Sequence, residues 1–390
     1  MKKFLFLLCT TIILTSCVKL RNPSGNDSSE FKIPSNFDWK TFEPMKVSFN
    51  GKFSVVNQDG DTIAKNLPAG DYNLYVGKGS LLTIVPSLSI ETKSISKPVD
   101  GTESRIYFPA EDKYATVMFE DLFPVPGDRD MNDLVFGLNI EYDLNAGAEV
   151  LAINFNIEPR AAGAIKSYLG LAASFTGYPV KVADITRHSS TYPEITKDHS
   201  DLAPIYKVIE PREESYGPAN PSDPQADYRV APFTGNFRKF FINPSSSYIN
   251  VSNVDPTTET HNFSVQVTLD QIIHYKKFSF FEGNDPDKVN IDIFATIEDR
   301  STEVHFKGQP PTNYFNYDLF KIANEDFTSD DKWVWAIMSD KSVRHALERV
   351  KIYDAYPGFE KWFETQDMSV WYYSYDKELV FTKKDFNYFN

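Results

Sequence analysis

Leu151, Ile153, Phe155 and Ile157 alternate with Ala152, Asn154, Asn156 and Glu158. This period of two predicts a strand with one apolar and one solvent-facing side. Phe263, Val265, Val267 and Leu269 repeat the pattern. Earlier in the chain, residues 45–49, 53–56, 72–76 and 81–85 are short β-prone runs punctuated by Asp59-Gly60-Asp61, Ala69-Gly70-Asp71 and Gly77-Lys78-Gly79. Such residues favour tight turns, so the runs read as strands of a small β-sandwich over residues 36–100. The polar stretch 94–103 would close it, and a larger sandwich-like β domain would occupy residues 104–390. Residues 183–232 are rich in Pro, Ser, Tyr and Asp without a sustained period, and read as a long loop or insertion. Near the C-terminus the period changes: Val343, Ala346, Leu347 and Val350 recur at helical spacing behind Asp340, a plausible N-cap. After Pro357, the residues Phe359, Trp362 and Phe363 again fall on one helical face. The expected fold is mainly β, with a few short C-terminal helices.

The first residues follow a different logic. Lys2 and Lys3 precede an apolar run over residues 4–14 that is interrupted only by Cys9, Thr10 and Thr11. A spanning helix needs roughly 20 apolar residues, so this run reads as a signal peptide, residues 1–16, rather than a permanent anchor. Leu14-Thr15-Ser16-Cys17 resembles the lipobox of bacterial lipoproteins. That resemblance makes Cys17 the acylated first residue of the mature chain. Each buried methylene adds ~0.8 kcal/mol, so several acyl chains would hold the protein on a membrane effectively permanently. Residues 17–35 then read as the lipidated cysteine and a flexible tether rich in Asn, Ser, Gly and Pro.

The chain has two cysteines, Cys9 and Cys17. One leaves with the signal peptide and the other carries lipid, so disulfides, thiolate metal sites and cysteine catalysis are excluded from the mature protein. Removing residues 1–16 takes away Lys2 and Lys3 and no acid, which deepens the formal charge from −14 to −16. An acidic surface repels phosphate backbones, so no nucleic-acid partner is expected, while soluble cations are attracted.

The densest set of oxygen ligands runs from Phe119 to Phe136: Glu120, Asp121, Asp128, Asp130, Asn132 and Asp133, between β-prone flanks. Asp128, Asp130 and Asn132 alternate, so a tightly curved loop could turn them toward one point. Calcium takes six to eight such oxygens. The start matches D-x-D-x-N of an EF-hand, but Asp133 stands where the turn glycine belongs and Asn139 where the bidentate glutamate belongs. Spacing alone leaves two readings open, a divalent-ion site and an acidic hairpin whose side chains make Asx-turns.

As it stands at residues 119–135, F-E-D-L-x-P-x-x-G-D-x-D-x-N-D-L-V resembles the signature of the LruC domain of Gram-negative outer-membrane lipoproteins. Segments 303–312, 333–337 and 355–362 resemble that domain's later motifs in the same order, and Phe37-Asp38-Trp39-Lys40-Thr41 resembles its opening segment. In that family a proline commonly precedes the Trp335-Ala336 pair, where this chain has Val334. The resemblance implies an envelope lipoprotein, an acidic loop holding Ca2+, and no established reaction.

Other chemistry is thinner. A second acidic run, Glu282, Asn284, Asp285, Asp287, Asn290 and Asp292, contains a proline and reads as a solvated turn. The six histidines include no H-E-x-x-H pair, and His305 reads as solvent-facing or strand-capping. Neither a G-x-S-x-G elbow nor a Walker loop occurs, so no enzyme is expected, and a cryptic hydrolase is kept only as an alternative. Trp333, Trp335, Trp371 and Tyr373 could stack on sugar rings, which makes a glycan-binding surface lipoprotein the other alternative to a structural or adhesive role. Protein or glycan partners at the cell surface fit either reading. Cys17→Ala is expected to abolish membrane attachment, measured by detergent phase partitioning; a variant that still partitions like the wild type would remove the lipid anchor from this account.

Overall fold

A computed structural model describes residues 32–89, 97–189, 229–365, 371–386 and 388. Cys17, the signal peptide and the tether lie outside the described residues, as does most of the expected insertion. Among the described residues no helix is long and apolar enough to cross a membrane.

The strands in chain order are β1 (Phe42–Phe49), β2 (Phe53–Asn57), β3 (Thr62–Leu67), β4 (Gly70–Gly77), β5 (Leu82–Val85), β6 (Ser104–Phe108), β7 (Ala115–Phe119), β8 (Leu134–Leu144) and β9 (Glu149–Ala161). They continue as β10 (Leu169–Gly177), β11 (Val182–Ser189), β12 (Val230–Thr234), β13 (Phe263–Leu269), β14 (Ile273–His274), β15 (Phe278–Phe280), β16 (Val289–Ile297), β17 (Glu303–Val304) and β18 (Ala336–Ser339). Strand β8 organises them. All of its 11 residues are buried. One edge pairs antiparallel with β9 over nearly its whole length. The other edge is divided: Leu134–Leu138 pair with β7, and Ile140–Leu144 pair with β6. From β6 the sheet continues through β3 and β2 to β5, whereas from β7 it passes only to β18.

A second sheet, β12-β10-β16-β15 with β17 on β16, covers the apolar face of the first. Ring contacts mark the interface: Phe155 meets Phe233 at 4.8 Å, and Phe119 meets Phe306 at 5.5 Å. The β1–β4 ribbon closes one end through Phe42, whose ring lies 4.9 Å from Phe108. The result is the expected mainly β, sandwich-like fold with two short C-terminal helices, Ile352–Ala355 and Phe359–Thr365.

Several expectations change. The four N-terminal runs are strands, but they do not form a separate sandwich over 36–100. Ala64 pairs with Ile106 and Lys65 with Arg105, so the main sheet extends across the anticipated boundary. One apolar cluster runs from Phe42 and Val55 through Ile140 and Phe155 to Trp335. A strand edge at β3 finds ladder partners in β6 that a closed small sandwich would not supply. At both ends of the expected 183–232 loop the chain is regular, since β11 pairs with β13 and β12 with β10. Residues 340–350 form no helix; Ala346 makes a bridge to Val380, and tertiary pairing overrides the helical spacing.

The polar side of β9 is also not solvent-facing. Asn154, Asn156 and Glu158 are buried. They are accommodated by side-chain pairing: Glu158 accepts from Arg160 Nε at 2.9 Å on its own strand, Arg105 donates across strands from Nε to Asp143 at 2.6 Å and from Nη1 to Glu141 at 3.0 Å, and Asn154 donates to Asp143 at 3.3 Å. Asn156 donates to Asn139 at 3.1 Å. Alternation reports chemical character, and a polar face whose side chains pair with one another can be buried as well as an apolar one.

An aromatic cluster ties the start of the fold to its end. Phe37 meets Trp362 edge-on at 4.8 Å, and Trp39 lies 5.0 Å from Phe363 and 5.1 Å from Trp333. Lys307 secures the same segment by donating from Nζ to the carbonyls of Ser35 and Phe37, at 2.7 and 2.9 Å.

Because the core is shared, Leu67→Ala, at a fully buried position of β3, is expected to cost about 2–5 kcal/mol and to lower one transition for the whole of 32–390. Calorimetry decides this. A second, unshifted transition would restore a separate N-terminal domain.

Candidate metal centre at the β7–β8 connection

Strand β7 ends at Phe119, so Glu120 and Asp121 leave the sheet directly toward the loop that returns at Leu134. Arg129 and Met131 both adopt left-handed backbone, φ 64° and 55°. Each such residue reverses the chain locally. These reversals curl the loop so that ligand atoms of Glu120, Asp128 and Asp130 lie within 4.8 Å of one another. Gly127 is required for this approach, since a Cβ there would fall 2.3 Å from Glu120 Oε2.

Backbone groups fix the side chains. Met131 N donates to Glu120 Oε1 at 2.8 Å. Asp130 accepts from Arg349 N at 2.7 Å and from Asn132 N at 3.3 Å. Asn132 donates to the carbonyl of Ala346 at 3.3 Å, and Ile352 N donates to the carbonyl of Arg129 at 2.8 Å. The 346–352 segment therefore wraps the loop. Asp121 and Asp133 form a neighbouring pair, with Asp121 N donating to Asp133 Oδ2 at 2.7 Å.

Burial and mutual repulsion oppose ionisation here. Glu120 is held well above the usual carboxylate range, first by burial and then by Asp133, Asp130 and Asp128. Asp130 is pushed up to about 8 by burial and then Asp128, and Asp133 to about 9 by burial and then Asp121 and Asp130. Asp121 is raised by burial, partly offset by Lys166. Glu120 Oε2, Asp121 Oδ2 and Asn132 Oδ1 are buried without a hydrogen-bond partner. Buried carboxylate oxygens left without donors are costly. The donor set, hard oxygens with formal negative charge in excess, fits a divalent cation such as calcium.

All six residues anticipated for the metal thus meet at one junction, with Glu120, Asp128 and Asp130 close enough to share an ion. Sequence reading missed Glu348, which is raised to about 7 by burial and then by Asp128. It lies far away in sequence, between Leu347 and Arg349, where no local spacing could single it out. The second acidic run makes no comparable cluster, because Asp285 and Asp287 sit on an exposed turn while Asn290 and Asp292 are buried in β16.

His305 is fully buried, contrary to the solvent-facing reading. Its Nδ1 lies 2.5 Å from Asp292 and its Nε2 2.8 Å from Glu303. Burial alone would lower its pKa, but the two carboxylates reverse this and raise it to about 9. The imidazolium and Arg300, which pairs with Glu303, neutralise an ionic knot inside the second sheet. The proposed stacking residues mostly lose their role. Trp333, Trp335 and Trp371 are 3%, 2% and 1% exposed, and only Tyr373, at 55%, offers a face to solvent.

Raised carboxylate pKa values carry a definite sign. Below about pH 4 both folded and unfolded chains are protonated; above it the folded chain holds protons that the unfolded chain has lost, so stability falls as pH rises toward 8–9. Each excess proton contributes a slope of about 1.4 kcal/mol per pH unit. In chelator-treated protein, Asp128→Asn removes one repelling charge from an exposed side chain and is expected to raise stability at pH 7.5, by an amount of order 1 kcal/mol, with a shallower slope. Thermal melts across pH 4.5–8 test this, and a parallel, unshifted profile would show that the carboxylates do not repel.

No curated protein matches the chain. A crystal structure of a candidate lipoprotein from Bacteroides ovatus superposes with a TM-score of 0.49 at 13% identity, covering 90% of this chain and 98% of that one. A family model described as a domain of unknown function, DUF4842, matches residues 148–372. That span includes Glu348 and the wrapping segment 346–352 but begins after the acidic loop. With more than half of its length inside the match, the chain belongs to the DUF4842 family.

Proposed function

We propose that this is an exported lipoprotein, anchored in the outer membrane by lipid on Cys17, with a structural or adhesive role and no catalysis. In this reading Glu120, Asp128 and Asp130 hold one calcium ion, with Asp133, Asp121, Asn132 and Glu348 around it. The ion supplies positive charge that cross-links β7, the return into β8 and the 346–352 segment. The chain's own residues do the positioning: left-handed Arg129 and Met131 curl the loop, Gly127 admits Glu120, and the amides of Met131 and Arg349 orient two carboxylates.

One observation carries the calcium reading. Glu120 Oε2 is buried, has no hydrogen-bond donor, and belongs to a carboxylate crowded by three others. A cation relieves both the missing partner and the repulsion. The likeness of 119–135 to the LruC signature supports the same assignment. The lipobox at residues 14–17 supports the anchor.

A ligand that binds only the folded state stabilises it by about 2.7 kcal/mol at a hundredfold excess over its dissociation constant. Chelation is therefore expected to lower the melting temperature by several degrees and calcium to restore it. Magnesium should restore less, because it demands a stricter octahedron. Glu120→Gln with Asp130→Asn should remove the calcium response, and Asp285→Asn with Asp287→Asn should leave it intact. A melting curve indifferent to calcium and chelator would make the loop an acidic hairpin with no ion.

A further inference from the structure

The division of β8 between β6 and β7 leaves a gap where the two branches of the sheet part. A cleft of about 570 Å3 occupies it. Its walls come from the β2–β3 turn, the 109–114 connection between β6 and β7, the end of β4, the stretch after β18, and Tyr388. This volume lies within the range of about 300–1,000 Å3 common for small-molecule sites.

The lining mixes donors and acceptors. Asp61 pairs with Lys113 at 3.3 Å and Asp59 with Lys341 at 3.5 Å. Asp112 and Asp340 add two further carboxylates, so the wall carries a net negative charge. Asp340 is buried and receives a hydrogen bond from the hydroxyl of Tyr372 at 3.4 Å. Its Oδ2 lies against the backbone of Gly77, where a Cβ would come within 2.2 Å. Pro109 is half-buried at the wall, with Ile63 and Val76 buried behind it.

Tyr388 provides the second observation. It lines the cleft and is 5% exposed, and its hydroxyl is buried without a hydrogen-bond partner. Arg344 and Arg160 lie against its ring, 4.5 and 5.2 Å from the centroid, and fix its position. An orphaned hydroxyl held rigidly at the wall of a polar cleft is a group prepared for a ligand.

We infer that the sheet fork is a binding site for a short saccharide, neutral or amino-bearing, of one or two rings. Sugar hydroxyls both donate and accept, which matches carboxylates and lysines facing the same space. The excess of carboxylates disfavours uronic acids. The site is independent of the tryptophans considered from sequence and of the acidic loop.

The test is an array of immobilised oligosaccharides of neutral, amino and uronic classes, probed with the full chain and followed by calorimetry with the best-bound disaccharide. Binding of a neutral or amino class is expected. Tyr388→Phe removes only the unpartnered hydroxyl and should weaken binding roughly 3–10-fold with an unchanged melting temperature. Gly77→Ala, which displaces the Asp340 carboxylate, should weaken it by at least as much, while Asp285→Asn, on an exposed turn that does not line the cleft, should have no effect. The proposal is overturned by an array that binds nothing at millimolar concentration, by binding of uronates alone, or by affinity indifferent to both cleft variants. Affinity that changes with Asp128→Asn alone would put the sugar on the acidic loop and equally overturn it.

Discussion

Each edge of a β-strand carries a single row of N–H and C=O groups, so β6 and β7 can both bond the same edge of β8 only by lying end to end. The sheet must then part beyond them, because β6 leads to β3 and β7 leads to β18. Two features follow. The β6–β7 connection sits at the fork and bounds the cleft, while the far end of β7 delivers Glu120 and Asp121 to the point where the chain re-enters β8. The polar cleft and the carboxylate junction are thus opposite ends of one short strand.

The carboxylate junction and the His305 knot solve the same problem in different ways. Around His305 the positive groups are built in, so Glu303 is pulled down to about 2 by Arg300 and the imidazolium despite its burial. At Glu120 the carboxylates crowd one another and remain raised, although Lys166 partly offsets Asp121. A permanent ion pair gives fixed structure. A cluster whose carboxylates stay raised makes stability depend on pH and on the cations the surroundings supply.

The strands were legible wherever side chains alternate, as in β9 and β13, because a period of two is a local property. The acidic loop was legible for the same reason: D-x-D-x-N is a local spacing, and Gly127 stands beside it. Burial of Asn154 and Asn156 was not legible, since it depends on Asp143 and Asn139 arriving from another strand. The absent helix at 340–350 had apolar residues at the right interval, but the bridge from Ala346 to Val380 decides its conformation. Glu348, Gly77 and Tyr388 acquire meaning only through partners remote in sequence, and single-chain periodicity carries no record of them.

The aromatic cluster joining Phe37 and Trp39 to the helix Phe359–Thr365 has a mechanical consequence. Tension entering the fold at residue 32 meets the Lys307 hydrogen bonds and the packed rings before it reaches the ladder of β1 and β4. Rings in edge-on contact resist displacement over only short distances, since dispersion decays steeply with separation. The segment is therefore a stiff, short-range latch between the start of the fold and its C-terminal helix.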